Sequence, residues 1–314
     1  MKRKVIKQGN GTLTITLPKK WTEEMGLKGG EEIDVEEKEG NISVRAKKNL
    51  KFDEISVDIT NFDRTAIIFY IRYLYRNGFN TIRLRFRNSI APHLRFQKEV
   101  TVLSVISKEV SRLIGMEIIE QKQDSCLLKC VLDETAEEFD KFLRRIFLLI
   151  SEMNRNLILA LKESDKAIFE LVHENHDTAT RFVSYCVRIL NKIGYKDRRK
   201  TILLHTLVES LEFIIDIIED TALKSRIEKK LIKKEVISIL ENIGQTFKYF
   251  ESFFYKFKTE SLTMISKARA DIDRKIQQII KKTNTYEQEI IDNMRLTALV
   301  VIRNMVGVRL GLEH

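Results

Sequence analysis

Proline is nearly absent from this chain, with 2 in 314 residues, and only 3 cysteines occur. Three cysteines, Cys126, Cys130 and Cys186, give no disulfide framework. Cys126 and Cys130 alternate with apolar residues in a predicted strand, where buried thiols are the default. A zinc site there would need two more ligands close by. The N-terminus has no apolar run, and no stretch reaches membrane-spanning length without charges. Neither a secretory leader nor membrane insertion is expected, and the predicted location is cytoplasmic. The chain has no Gly-rich phosphate loop, no HExxH and no Ser/His/Asp or Cys/His set in a supporting context, so no enzyme is expected.

Acids are missing from residues 1–20, which carry Lys2, Arg3, Lys4, Lys7, Lys19 and Lys20. They gather later, at Glu31, Glu32, Asp34, Glu36, Glu37 and Glu39. One end of a small domain is therefore positive and the other negative. The whole chain has formal net charge +10. Heavy use of Ile and Lys, with little Pro, fits a solvated surface of thermophile type. An anionic partner, nucleic acid or membrane surface, is the functional alternative.

The residues of the first segment predict short strands around a helix. Val5 to Gln8 reads as a strand, and Gly9-Asn10-Gly11 as a turn that tolerates positive φ. From Thr12 the period is two, with Leu13, Ile15 and Leu17 on one face and Thr12, Thr14 and Thr16 on the other. Pro18 stops that strand and opens a helix over 19–25 that ends at Gly26. Two further strands, 32–37 and 41–46, follow Gly29-Gly30. The order turn, T-L-T-I-T-L-P, helix, G-L-K-G-G resembles the looped-hairpin domain of the AbrB/SpoVT/MazE class. That resemblance implies two chains interleaving their hairpins into one barrel. It also implies double-stranded DNA as partner, touched by Arg3, Lys4, Lys7, Asn10, Lys19 and Lys20. Many relatives carry Arg where this chain has Asn10, which removes a bidentate guanine contact and leaves phosphate contacts dominant. A hairpin kept only for dimerisation is the alternative.

Residues 49–132 predict a small α/β connector of order βαβαββ, with helices over 63–76 and 97–114. One strand of it sets Arg83, Arg85 and Arg87 on a single face. Three cations in a row repel, so either acids across the sheet offset them or the row binds an anion, with Arg72, Arg76 and Arg95 nearby.

From Asp133 the pattern is helical, with helices predicted over 134–163, 164–193, 197–224, 228–258, 260–283 and 285–310. Two sets of three suggest paired three-helix bundles. On the third helix His205, Glu209, Glu212, Asp216 and Glu219 share a narrow face. Stacked carboxylates repel unless cations intervene, and hard oxygens suit Mg, Ca, Mn or Fe. The four carboxylates of this face are therefore a candidate metal-binding stripe, with a solvated acidic face that has Lys partners on a neighbouring helix as the alternative. Two three-helix repeats with Glu212-x-x-x-Asp216 resemble the PhoU family of phosphate-uptake regulators. The resemblance implies a divalent or iron-type metal on Glu212 and Asp216, with Glu209 one turn earlier, and, as partners, a phosphate transporter and signalling proteins. The corresponding stretch of the second repeat, around Arg303, lacks the motif, so a second metal site is not expected. His173 and His176 lie three apart and read as exposed; Glu170-x-x-His173 is the one formal Glu-x-x-His.

The expected architecture is multidomain α+β. A swapped-hairpin β-barrel (1–48) precedes the connector (49–132) and a PhoU-like helical domain with repeats 133–224 and 225–314. The expected function is a dimeric DNA-binding regulator of phosphate uptake. Its competitor is an adaptor docking on a transporter or kinase, whose hairpin only dimerises.

Overall fold

A computed structural model of the protein describes residues 2–9, 11–38, 41–45, 54–228 and 230–313. They divide into two compact units, Met1–Asp53 and Glu54–His314.

In the first unit β1 (Ile6–Gln8) pairs antiparallel with β2 (Thr12–Thr14), Lys7 opposite Leu13. Pro18, with φ −62°, leads into α1 (Lys19–Met25), and Gly26 ends it at φ +64° in the left-handed region that glycine enters without penalty. β3 (Asp34–Lys38) and β4 (Asn41–Arg45) form a second hairpin. The unit is thus two separate two-stranded sheets and one helix. None of its residues whose side chains are described is buried. Leu13 (66% exposed), Val35 (58%) and Ile42 (65%) face solvent in the single chain.

The second unit opens with β5 (Glu54–Asp58), α2 (Arg64–Arg76) and β6 (Thr81–Arg85). Asp63 caps α2 by accepting the Thr65 and Ala66 amides. A hairpin of β7 (Ile90–His93) and β8 (Lys98–Thr101) leads to α3 (Val102–Val110), β9 (Met116–Gln121) and β10 (Ser125–Cys130). The sheet order is β5-β6-β10-β9, with β5 and β6 parallel and the other pairs antiparallel. The hairpin corrects the expectation of one helix over 97–114. Leu94–Phe96 makes a single 3-10 turn, and Gln97 sits at φ +48°, turning the chain back so that His93 pairs with Lys98. Only the second half of that segment is helical.

Six long helical stretches follow: α4 (Ala136–Glu163), α5 (Lys166–Lys192), α6 (Thr201–Glu228), α7 (Lys234–Tyr255), α8 (Glu260–Ile279) and α9 (Thr285–Val300). A π-helical turn, Val301–Met305, continues α9 into α10 (Val306–Glu313). Capping boxes at Thr135/Glu138 and Asn284/Glu287 start α4 and α9. The break expected near 223–227 is absent, since α6 runs on to Glu228. α4, α5 and α6 pack on one another, while α7 packs on α8 and α9. The two sets meet through α4 on α7 and α6 on α9. Gly244 lets α7 approach α4 closely, because a Cβ there would fall 2.0 Å from Asn154 Nδ2.

The α/β layer and the helices, anticipated as separate domains, share one hydrophobic core. Their junction also carries buried polar contacts. Arg188 on α5 is fully buried and donates to the Tyr75 and Phe79 carbonyls (both 2.8 Å) and to Asn80 Oδ1 (2.6 Å). Its Nε meets Glu134 Oε1 at 2.5 Å, and its guanidinium lies 4.8 Å from the centre of the Tyr75 ring.

Candidate functional site

Between α5 and α6 an imidazole–carboxylate cluster forms because two pairs spaced i, i+3 face each other. His173 and His176 lie on one face of α5, and Asp216 and Glu219 on one face of α6. His173 Nδ1 is 2.6 Å from Glu219 Oε1, and His176 Nε2 is 3.4 Å from Asp216 Oδ1. The two rings are parallel within 9°, with centroids 6.3 Å apart. Donor atoms of His173, His176 and Glu219 all lie within 4.8 Å of one another. Glu219 is only 5% exposed, and its second oxygen, Oε2, is buried without a hydrogen-bond partner. A buried carboxylate oxygen with no donor costs free energy, and a bound cation would remove that cost.

Behind the imidazoles Asp177 joins the cluster to the α/β layer. Asp177 Oδ1 is 3.3 Å from His176 Nδ1, and Arg112 Nη2 is 2.5 Å from Asp177 Oδ2. Burial opposes the charge of Asp177, but the His176 bond and the Arg112 guanidinium overcome it and hold its pKa at about 2. Burial also opposes a charged His176; its bonds to Asp177 and Asp216 outweigh this and raise its pKa to about 9.

The stripe predicted from the sequence is split by the fold. Arg76 from α2 takes Glu212 in a two-pronged pair (Nη1–Oε2 2.9 Å, Nη2–Oε1 2.5 Å) and lies 4.0 Å from Glu209. Glu209, Glu212 and Asp216 therefore do not converge as one donor set, and Asp216 alone borders the imidazoles. Glu170 is paired with Arg226. His173 and His176 read from the sequence only as an exposed pair; their i, i+3 match to Asp216 and Glu219 is the signal that could have found the cluster. Two imidazole nitrogens and the Glu219 carboxylate suit first-row divalent ions better than Mg or Ca, which prefer all-oxygen shells, and a metal on His176 would have to displace the proton that its raised pKa retains at neutral pH.

The Arg83, Arg85, Arg87 row meets acids from neighbouring strands. Arg83 lies 3.6 Å from Glu54 and 3.7 Å from Glu120, and Arg85 is opposite Asp58 in the β5–β6 register. The Thr60 hydroxyl and amide, with Arg87 and Arg85, lower the Asp58 pKa.

Of the residues expected to touch DNA, Arg3, Lys4, Lys7, Lys19 and Lys20 are all exposed. Among the described residues Lys19 and Lys20 have loose partners one turn on, Glu23 at 3.7 Å and Glu24 at 4.0 Å. Asn10 lies outside the described residues. Among the described residues no helix is long and apolar enough to cross a membrane.

Residues 6–52 match the family described as antidote-toxin recognition MazE, bacterial antitoxin. Neither the curated proteins nor the solved structures contain a match to the chain. The similarity thus falls on the N-terminal unit, whose strand-rich hairpins and exposed basic residues resemble a MazE-type domain.

Proposed function

We propose that the protein is a dimeric DNA-binding regulator, with residues 1–48 as its reader and the helical region as its sensor. The match of residues 6–52 to the MazE family carries this reading. Two features of the unit support it. Exposed Leu13, Ile15, Val35 and Ile42 are apolar surface that a second copy of the hairpins would cover. Arg3, Lys4, Lys7, Lys19 and Lys20 supply cations for DNA phosphates, so affinity comes mainly from counterion release.

In this reading a metal ion is the sensor's input. His173, His176 and Glu219 would hold it, with Asp216 beside His176, and the unpartnered Glu219 oxygen supports that assignment. The ion would supply positive charge at a point where α5 and α6 both contribute donors, tying the two helices together. Control of phosphate uptake is the process implied by the PhoU resemblance, and the two sets of three long helices support it.

The test is DNA binding by the full chain over a salt series, on its own upstream region and on random duplex. Affinity should fall steeply with salt, and Lys4→Gln/Lys7→Gln should weaken it on both duplexes. Undetectable binding at low salt would reduce the N-terminal unit to a dimerisation tether and favour the transporter- or kinase-docking adaptor.

A further inference from the structure

A cavity of about 300 Å³ opens between α2, the β7–β8 hairpin and α3, and the Arg112–Asp177 pair links its wall to the α5–α6 imidazole cluster. Arg64 enters it from α2, Lys98 from β8, Lys108 from α3 and Arg112 from just beyond α3. Glu109 is the acid in its wall, and Arg72 already holds it with two bonds of 2.9 and 3.3 Å. Arg112 is held by Asp177. Among the described residues no ion pair joins Arg64, Lys98 or Lys108 to an acid. Three uncompensated cations from three elements thus line one small space, a repulsive arrangement that an anion would relieve.

A buried imidazole gives the second, independent observation. His93 on β7 lines the same cavity, is 7% exposed, and has its Nδ1 buried without a partner. Burial, reinforced by the charges of Arg64 and Lys98, holds the His93 pKa below the usual histidine value. At neutral pH the ring is therefore an uncharged group able to donate one N–H. At the mouth Phe96 is 63% exposed; its ring lies 4.8 Å from that of His93, with Arg95 and Lys98 within 6 Å of its centroid.

We propose that this cavity binds a small phosphorylated ligand, with Arg64, Lys98 and Lys108 meeting its phosphate oxygens and His93 donating a hydrogen bond. A single carboxylate would leave most of the positive charge unmatched. A dianionic phosphate presents oxygens in several directions and suits cations arriving from three elements. The volume is at the lower end for small-ligand sites, and the concave wall selects a small molecule over a duplex. The exposed Phe96 ring offers a stacking surface to a planar group attached to the phosphate.

The experiment is calorimetric titration of the full chain at low salt with two probes, inorganic phosphate and AMP. At least one should bind, and Lys98→Gln/Lys108→Gln should weaken it by about tenfold or more. His93→Gln should weaken it less, while Lys122→Gln, in the exposed β9–β10 turn, should leave it unchanged. Both cavity lysines are exposed, so the variants are expected to keep the melting curve of the parent, which circular dichroism would check. AMP binding more tightly than phosphate, with the difference abolished by Phe96→Ala, would extend the ligand to a planar ring. Equal binding would restrict recognition to the phosphate group. The proposal is overturned if neither probe binds, if the double variant binds like the parent, or if random duplex DNA displaces the probe from the cavity.

Discussion

Arg76 holds Glu212 across the boundary between the α/β layer and the helices, with both guanidinium Nη atoms on both carboxylate oxygens. The pair is mostly buried, and Ser184 also accepts from Arg76. Removing one partner leaves the other charge poorly solvated. Arg76→Ala should lower unfolding stability by about 2–4 kcal/mol, measured by urea denaturation. A loss below about 0.5 kcal/mol would show the pair to be solvent-screened.

Glu212→Gln and Glu219→Gln should behave differently toward metal. If the imidazole cluster is the metal centre, Glu219→Gln or His176→Ala should lower the affinity for a first-row divalent ion by at least about tenfold. Glu212→Gln should leave metal stoichiometry intact, because Arg76 occupies that carboxylate. Metal content by mass spectrometry after dialysis would distinguish them, and equal losses would restore the acidic stripe as donor set.

Acid should weaken the protein through Glu134. Burial disfavours its charge, yet bonds to Lys192 and Arg188 prevail and hold its pKa below the ordinary value of 4.5. A depressed carboxylate stabilises the fold above its unfolded pKa, and that contribution is lost as pH falls through the folded value. The stability difference between parent and Glu134→Gln should therefore be largest near neutral pH and shrink on acidification below about 4.5. A difference independent of pH in denaturant titrations would remove Glu134 from the acid response.

In the N-terminal unit, Leu13→Asp should abolish dimerisation by placing a charge on apolar surface that a second chain would cover. Sedimentation should show monomer, and DNA affinity should fall with it. A dimer that survives would move the interface elsewhere. Replacing Lys4 and Lys7 by Gln should reduce the slope of log affinity against log salt by about 2, if each contacts one phosphate.

Much of this fold was legible in the sequence because its signals are local. Gly26, Asp63, Ser164 and Asn284 mark helix ends, and the apolar spacing from Ala136 onward locates all six long helices. The β7–β8 hairpin was not legible. Its turn depends on Gln97 adopting a left-handed conformation, and Val100 to Ser104 fits a helical pattern as well as a strand end. The functional clusters were half legible. A helical wheel puts Glu209, Glu212 and Asp216 on one face of α6, but only packing reveals that Arg76 claims Glu212 and that α5 delivers two imidazoles to Asp216 and Glu219. Arg76 and Glu212 are 136 positions apart and the imidazoles are 40 and 46 from their carboxylates, and periodicity within one helix says nothing about its neighbour.

The guanidinium of Arg188 bears on how this chain can be cut or recombined. It begins on a helix of the bundle and ends among the carbonyls of Tyr75 and Phe79 in the α/β layer. Transplanting the helices without residues 54–132 would leave an interior cation with only Glu134 for company and its carbonyl acceptors gone. The α/β segment is thus not an exchangeable insert.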